Sequence, residues 1–263
     1  MIYCADDPGA VEVASIIEKE GRGIVLIPYG FNAKGNFRIG SYRVENGKAF
    51  FSINAFEEEL VLKIPGRHQV LNAAAAITLA SVLNNGILDE ARQLAVKKAL
   101  EDFCGSKRRS EIIGEAGGIL FMDDYGHHPT AIKTTLEGLK SFYPSKRLVV
   151  SFMSHTYTRT AALLDDFALS LALADVLFLH KIYASAREKF DGDINGKSIL
   201  EKIENIPSKN CTAYYVDEPM DAVQDLKSIL KPGDIFLTMG AGNNWPLGTE
   251  LYGFFREQNG VLA

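Results

Sequence analysis

Cysteine is scarce in this chain. Cys4, Cys104 and Cys211 are its three occurrences in 263 residues. They are scattered and form no Cys-x-x-Cys pair, which argues against a disulfide framework or a thiolate zinc site. Reduced thiols fit a cytoplasmic setting. Long apolar runs are lacking too. No stretch reaches the ~18 consecutive apolar residues of a membrane span, and Met1-Ile2-Tyr3-Cys4-Ala5-Asp6-Asp7 has no basic segment of the kind that opens a secretion signal. No membrane insertion is therefore expected. Basic clusters are almost absent, Lys107-Arg108-Arg109 being the one tight run. With a net charge of −5 and a pI near 5.6, no field draws the chain to nucleic acid or an anionic bilayer. Nothing in the sequence speaks to oligomeric state.

What remains is an ordinary soluble composition, 47% hydrophobic and 23% charged, long enough for one large or two ordinary domains. Met1 to Cys4 reads as a strand, Val11 to Glu20 as a helix and Gly23 to Pro28 as a second strand. Phe37 to Val44 and Ala49 to Ile53 alternate around Glu45-Asn46-Gly47-Lys48, an Asn-Gly hairpin signal. Glu59 to Ile64 adds a third antiparallel strand. An alanine-rich helix follows Pro65-Gly66. Another runs from Glu90 to Phe103, with Asp89 as N-cap. A boundary is expected near Gly105-Ser106, giving domains 1–106 and 107–263.

Beyond it the period is regular. Strands are expected near 111–113, 118–123, 147–152, 175–180, 212–216 and 234–239. Helices are expected near 129–142, 160–173, 195–204, 218–230 and 246–257. Such alternation implies βαβ units and a mainly parallel sheet. The fold class is thus α/β: strands with an antiparallel hairpin plus helices, then a second domain with a mainly parallel sheet.

The polar chemistry gathers just after predicted strands, where ligands bind in open α/β sheets. Asp123-Asp124-Tyr125-Gly126-His127-His128-Pro129-Thr130 puts two carboxylates, a phenol and two imidazoles into one strand-to-helix turn. Such a turn needs only a Gly, a Pro or a cap, with Thr130 or Asp124 able to serve as the cap. Ser154-His155-Thr156-Tyr157-Thr158-Arg159-Thr160 offers His155 and Arg159 at a helix start, where a guanidinium fork and backbone N–H groups suit an anion. The alternative for Arg159 is a surface pair with Asp165 or Asp166. Gly240-Ala241-Gly242 is a poor dinucleotide fingerprint but a credible tight turn for close backbone approach.

His68, Gln69 and Asn72 open a helix, and paired amides can read adenine. Helix capping is the alternative for this turn. Four of the five histidines fall in these turns, His180 being the exception. Imidazoles make a metal site one reading, but adjacent His127 and His128 point apart, so no metal site is assigned.

Several segments together resemble the Mur ligase family: Gly66-Arg67-His68-Gln69-Val70-Leu71-Asn72-Ala73-Ala74-Ala75, Arg108-Arg109-Ser110-Glu111, the 123–130 turn, and His155-Thr156-Tyr157-Thr158-Arg159-Thr160. Ile182-Tyr183-Ala184-Ser185-Ala186-Arg187-Glu188 and the Gly240-Ala241-Gly242 turn add to them. The resemblance implies the second half of a central ATPase domain followed by a C-terminal Rossmann-like domain. The family's Gly-x-x-Gly-Lys-Thr phosphate loop does not occur here. Cys4-Ala5-Asp6-Asp7-Pro8 resembles a mid-domain Asn-x-Asp-Asp-Pro strand end. The chain is accordingly expected to be a C-terminal piece of a longer polypeptide, inactive alone, with the ligands for Mg2+ upstream.

The resemblance further implies ATP-dependent amide formation in peptidoglycan precursor synthesis. ATP would activate the lactyl carboxylate of UDP-N-acetylmuramate as an acyl phosphate, which the amine of L-alanine would attack. The His-x-Tyr-x-Arg-Thr segment favours the alanine-adding branch over a murein-tripeptide-recycling one. A non-catalytic nucleotide-binding module is the other reading. Carried over by position, His68, Gln69 and Asn72 would face adenine, Arg108 and Arg109 the phosphates, and Asp124 the ribose. Tyr125, His127, His128, His155 and Arg159 would line the substrate side, with His127 and Arg159 closest to the chemistry. The family usually has Asn where Gln69 stands and often Arg where Thr156 stands.

Overall fold

A computed structural model describes residues 1–260 apart from 22, 46, 87, 186–187, 189–193 and 208. The chain divides into two compact units, Met1–Cys104 and Gly105–Ala263.

The first unit holds two small sheets. Strands β1 (Ile2–Cys4) and β2 (Ile27–Tyr29) pair in parallel. Strands β3 (Ile39–Glu45), β4 (Lys48–Ile53) and β5 (Leu60–Leu62) form an antiparallel sheet. The β3–β4 hairpin pairs Glu45 with Lys48 across Gly47, at φ 68°; Asn46 lies outside the described residues. Ile24 and Val25, expected in a strand, precede β2 and are 45% and 71% exposed. Helix α1 (Pro8–Lys19) starts at Asp7, whose carboxylate accepts the Ala10 N–H at 2.7 Å. Helix α2 (Arg67–Leu83) buries Val70, Ala73, Ala74 and Ile77, its small side chains allowing close packing. Helix α3 (Glu90–Asp102) is capped by Asp89 as expected.

The second unit is a three-layer sandwich. Its elements are β6 (Glu111–Ala116), β7 (Ile119–Asp124), α4 (Pro129–Phe142), β8 (Arg147–Phe152), α5 (Tyr157–Ala162), α6 (Leu164–Leu171), β9 (Val176–Leu179), α7 (Gly196–Glu204), β10 (Thr212–Tyr215), a 3₁₀ turn at Pro219–Ala222, α8 (Val223–Ile229), β11 (Asp234–Met239) and α9 (Trp245–Gly260). The sheet order is β10-β9-β8-β11-β7-β6. Only the edge strand β6 runs antiparallel, against β7. The helix expected over 160–173 is two helices, broken at Leu163, where φ is −122°. That expected over 218–230 begins as the 3₁₀ turn.

Both faces of this sheet are buried, as a parallel sheet requires. Along β7, Leu120 and Met122 join Ile132, Leu136 and Leu139 of α4 on one face. Ile119 and Phe121 join Leu226, Leu247 and Leu251 of α8 and α9 on the other. Period-two alternation thus distributes one apolar run between two cores. Strand β11 lies between β7 and β8, so the carboxyl ends of these three strands are neighbours. Among the described residues, no helix is long and apolar enough to cross a membrane.

Candidate functional site

The site forms where β7, β8 and β11 end. Asp123 and Asp124, the last residues of β7, are 3% and 6% exposed. Burial raises the Asp123 pKa, opposed by the Thr238 hydroxyl and by Arg108. Thr238 Oγ1 donates to Asp123 Oδ1 at 2.6 Å, and Arg108 Nε donates to Oδ2 at 2.8 Å. Arg108 Nη2 donates to the Gly240 carbonyl at 2.7 Å. The guanidinium expected at the phosphates is here the counter-charge of a buried carboxylate, because an unpaired one would be costly to bury. Arg109 is exposed, with its guanidinium carbon 5.8 Å from the centre of the Tyr125 ring.

Asp124 is equally engaged. Its Oδ2 accepts the Ser110 N–H at 2.7 Å and the Ser110 hydroxyl at 3.3 Å, and its Oδ1 accepts the Gly126 N–H at 2.7 Å. The carboxylate fixes both the chain entering β6 and the turn after β7, and it does not cap α4. Thr130 does not cap it either: His128 stands at the N-cap, with Nδ1 accepting the Thr130 N–H at 3.3 Å. His128 is exposed and is not among the rings gathered at the site.

Those rings are Tyr125, His127, His155 and Tyr183. Tyr125 and His127 meet edge to face at 5.1 Å, His127 and His155 at 6.4 Å, and His155 stacks on Tyr183 at 5.9 Å. His127 Nδ1 lies 2.9 Å from the Tyr125 carbonyl. A carbonyl can only accept, so Nδ1 carries a proton, and in the matching neutral tautomer Nε2 is the acceptor. Burial, then Arg159 and His127, hold the His155 pKa below the ordinary imidazole range, with Glu188 pulling the other way. Arg159 Nη1 is buried without a hydrogen-bond partner. Of its two expected alternative partners, Asp165 and Asp166, the first pairs with Lys202 at 2.8 Å instead.

The backbone here is bent sharply. Thr156 stands at φ 73°, left-handed for a β-branched residue, a conformation costing of order 1–3 kcal/mol and found where the surroundings enforce it. After β11, Gly240 at φ 124° lets the Met153 carbonyl approach so closely that a Cβ would stand 2.2 Å from its oxygen. The close approach expected of a ligand at this turn is made by the protein's own backbone. Asn244 is wholly buried; its amide donates to the Ser151 and Met239 carbonyls, while its Oδ1 has no partner.

His68, Gln69 and Asn72 stand in the first unit, at the start of α2. Asn72 Nδ2 donates to Gln69 Oε1 at 3.3 Å, which orients both amides. His68, Leu71 and Asn72 line a cavity of about 590 Å³ with Tyr3, Cys4 and Tyr29. Among the described residues, no group of three or more His, Cys, Asp or Glu side chains is placed to hold a metal ion.

Sequence reasoning gave no role to Thr238, Tyr183 or Glu188. Thr238 lies inside an apolar strand and carries no signal. Tyr183 and Glu188 follow β9 as the other site residues follow β7 and β8, and that position was a usable sign. Ala186 and Arg187 of the same segment lie outside the described residues.

Fold and site define an open α/β unit whose central strand ends gather imidazoles, phenols and a guanidinium with a buried Nη1. Its match to known proteins is specific. Residues 108–242 fit the model for the Mur ligase, glutamate ligase domain. The chain is 46% identical over 261 residues to the UDP-N-acetylmuramate–L-alanine ligase of Treponema pallidum (strain Nichols), covering 98% of this chain and 54% of that protein. It is 38% identical over 250 residues to the enzyme of that name from Borrelia garinii, covering 94% and 52%. The solved UDP-N-acetylmuramate-alanine ligase of Thermotoga maritima superposes with a TM-score of 0.73 at 26% identity, over 98% of this chain and 51% of that one. The chain belongs to the Mur ligase family. It spans about half the length of the curated relatives it matches.

Proposed function

We propose that this chain is the amino-acid- and nucleotide-handling half of an ATP-dependent ligase that joins L-alanine to UDP-N-acetylmuramate in peptidoglycan precursor synthesis. The observation that carries the reading is the unfilled, buried Nη1 of Arg159 beside His155 and His127. A buried guanidinium donor without an acceptor calls for an anion, and a carboxylate matches its fork. The relatives named above supply the amino acid.

In this reading Arg159 receives the carboxylate of L-alanine and fixes its orientation. His155, kept neutral by its surroundings, adds no competing positive charge. His127, with Nδ1 tied to the Tyr125 carbonyl, offers Nε2 to take the proton released as the amine attacks. Tyr125 and Tyr183 wall the site. Positioning of this kind supplies much of the acceleration in reactions of activated acyl groups.

ATP supplies the activation of the acid when bound. The Asn72–Gln69 amide pair beside the apolar cavity of the first unit fits an adenine, and His68 lines the same cavity. Asp124 reads as a positioning residue for the turn rather than a ribose ligand, and Arg109 as the cation left to meet phosphate. Among the described residues no group of three or more His, Cys, Asp or Glu side chains is placed for Mg2+. We place its ligands and the triphosphate cradle in the part of the relatives' length that this chain does not span, and the protein in the cytoplasm. The division into 1–106 and 107–263 as partial ATPase domain and C-terminal domain belongs to the same proposal.

The test is NMR of the His127 and His155 rings during addition of L-alanine. Both should shift with L-alanine and not with its amide, which lacks the carboxylate. The chain alone should release no ADP in the presence of ATP, UDP-N-acetylmuramate and L-alanine. Rings indifferent to L-alanine, or robust ADP release, would overturn the proposal.

A further inference from the structure

The corner that presents Arg159 is built on a strained residue, and something must hold it there. On one side of Thr156, the chain is pinned to the segment after β9. The Thr156 N–H donates to the Tyr183 carbonyl at 3.1 Å, and the Tyr183 N–H donates to the Ser154 carbonyl at 2.8 Å. On the other side stands Glu188. Its carboxylate accepts the Tyr157 N–H at 3.0 Å, the Thr158 N–H at 3.2 Å and the Thr158 hydroxyl at 2.5 Å. The first N–H groups of a helix have no partner within it, and Thr156 supplies no side-chain cap to α5. Glu188 does so from 31 residues away.

We infer that Glu188 is a positioning residue: by capping α5 from outside, it holds Thr156 in its left-handed turn and so aims Arg159 at the site. Hydrogen bonds, chiefly from the Thr158 hydroxyl, also hold its pKa below the usual carboxylate range, so it is ionised at neutral pH. Its charge reaches His155 as well. Around that ring Arg159 and His127 favour the neutral form, Tyr183 stacks on it, and Glu188 favours the charged form. Any consequence for L-alanine rests on the function proposed above; the effect on the turn does not.

The experiment compares the chain with Glu188→Gln, Glu188→Ala and the pair Glu188→Ala with Thr156→Gly. Amide exchange at residue 156, Tyr157, Thr158 and Thr160 and the NMR titration of His155 are read in each. Glu188→Gln is close to isosteric and removes the charge. It should speed exchange at Tyr157 and Thr158 about tenfold or more, since a tenfold change is the loss of about one hydrogen bond's net worth, and it should lower the His155 titration further. Glycine adopts a positive φ without penalty. Thr156→Gly should therefore restore, in Glu188→Ala, most of the protection of the residue-156 and Thr160 amides, which donate to the Tyr183 and residue-156 carbonyls, while Tyr157 and Thr158 stay unprotected and the His155 titration stays low. Unchanged exchange and titration in folded Glu188→Gln would overturn the inference, and so would a double variant whose residue-156 and Thr160 amides exchange as fast as in Glu188→Ala. If L-alanine moves neither ring of the unaltered chain but these variants behave as stated, the proposed function fails and the positioning role stands.

Discussion

His127 and His155 leave the sheet from two different strands, yet their rings meet edge to face with centroids 6.4 Å apart and planes at 81°. The strands that carry them, β7 and β8, are not neighbours; β11 lies between them. The turns after the two strands therefore arch over the end of β11 to bring the rings together. The contact has an electrostatic consequence, because His127 is one of the groups that lower the His155 pKa. Replacing it by an uncharged residue, His127→Asn, removes that push and part of the burial that heads the causes. The His155 titration followed by NMR should move up toward the ordinary imidazole range. A titration that stays in place would show that the two rings do not sense each other.

Arg159 is the residue on which substrate affinity should depend most steeply. A hydrogen bond to a charged group contributes about 1.5–3 kcal/mol. Arg159→Lys keeps the charge but loses the fork, and by this measure should weaken L-alanine binding roughly tenfold to a hundredfold. Calorimetry of the two proteins side by side provides the check. Affinity retained in Arg159→Lys would mean that charge alone is recognised.

Much of this arrangement was legible in the sequence, because apolar periodicity reports the core and turn residues report strand ends. The limits of β11 and α4 agree with the pattern, and the clustering of His127, His155 and Arg159 after strands pointed to one site. What escaped had no local signature. Helix α5 begins at Tyr157 rather than Thr160 because Thr156 takes a positive φ, which no preference of threonine announces. Glu188 caps that helix from far along the chain. Asp124 looked like a helix cap, but its carboxylate is drawn to Ser110 and Gly126, and His128 takes the position instead. Ile24 and Val25 form an apolar run that stays outside β2.

Stability and site geometry should separate at Asp234. It starts β11, at the end of the strand opposite to the site. Its two oxygens accept from Arg147 Nε and Nη2 at 2.9 and 2.7 Å, tying β11 to β8. Asp234→Asn leaves the guanidinium half-satisfied. The cost should be of order 2 kcal/mol, below the ~3–5 of a fully buried pair, because Arg147 keeps 30% of its side chain exposed. Urea denaturation should show the loss, with the His155 titration unmoved. A shifted titration would show coupling along the whole strand.

Gly240 ties stability and site together. Alanine there would strain a residue at φ 124° and drive its Cβ into the Met153 carbonyl. Strain and overpacking each cost about 1–3 kcal/mol. Met153 holds the end of β8 through its N–H to the Met239 carbonyl at 3.1 Å, two residues before His155. Gly240→Ala should therefore destabilise the second unit by about 3 kcal/mol and weaken the His127–His155 cross-ring NOE. A folded variant with that NOE at full strength would show that the strand end yields without disturbing the site.

His180, the histidine outside the site, should govern stability in mild acid. It is 1% exposed. Its Nδ1 lies 2.8 Å from the Val216 carbonyl and its Nε2 2.9 Å from Ser151 Oγ. The carbonyl fixes the proton on Nδ1, so Nε2 accepts from the serine and the neutral ring is fully satisfied. Burial lowers its pKa to about 4, despite the Val216 carbonyl and the charges of Glu218 and Asp217. In the unfolded chain the ring takes up its proton near pH 6.5. The unfolded state therefore binds more protons between about 6.5 and 4, and stability falls as pH falls through that window. The contribution is complete above it, amounts to roughly 3 kcal/mol by linkage, and is gone below it. Asp123, whose pKa burial raises, acts with the opposite sign in acid, so the comparison must be made within pairs. Denaturation midpoints of the protein and of His180→Gln, measured from pH 7.5 to 4, should converge as pH falls, although the variant starts lower for want of a donor to Val216. Midpoints that stay parallel across the window would show that His180 takes up its proton in the folded state as readily as in the unfolded chain.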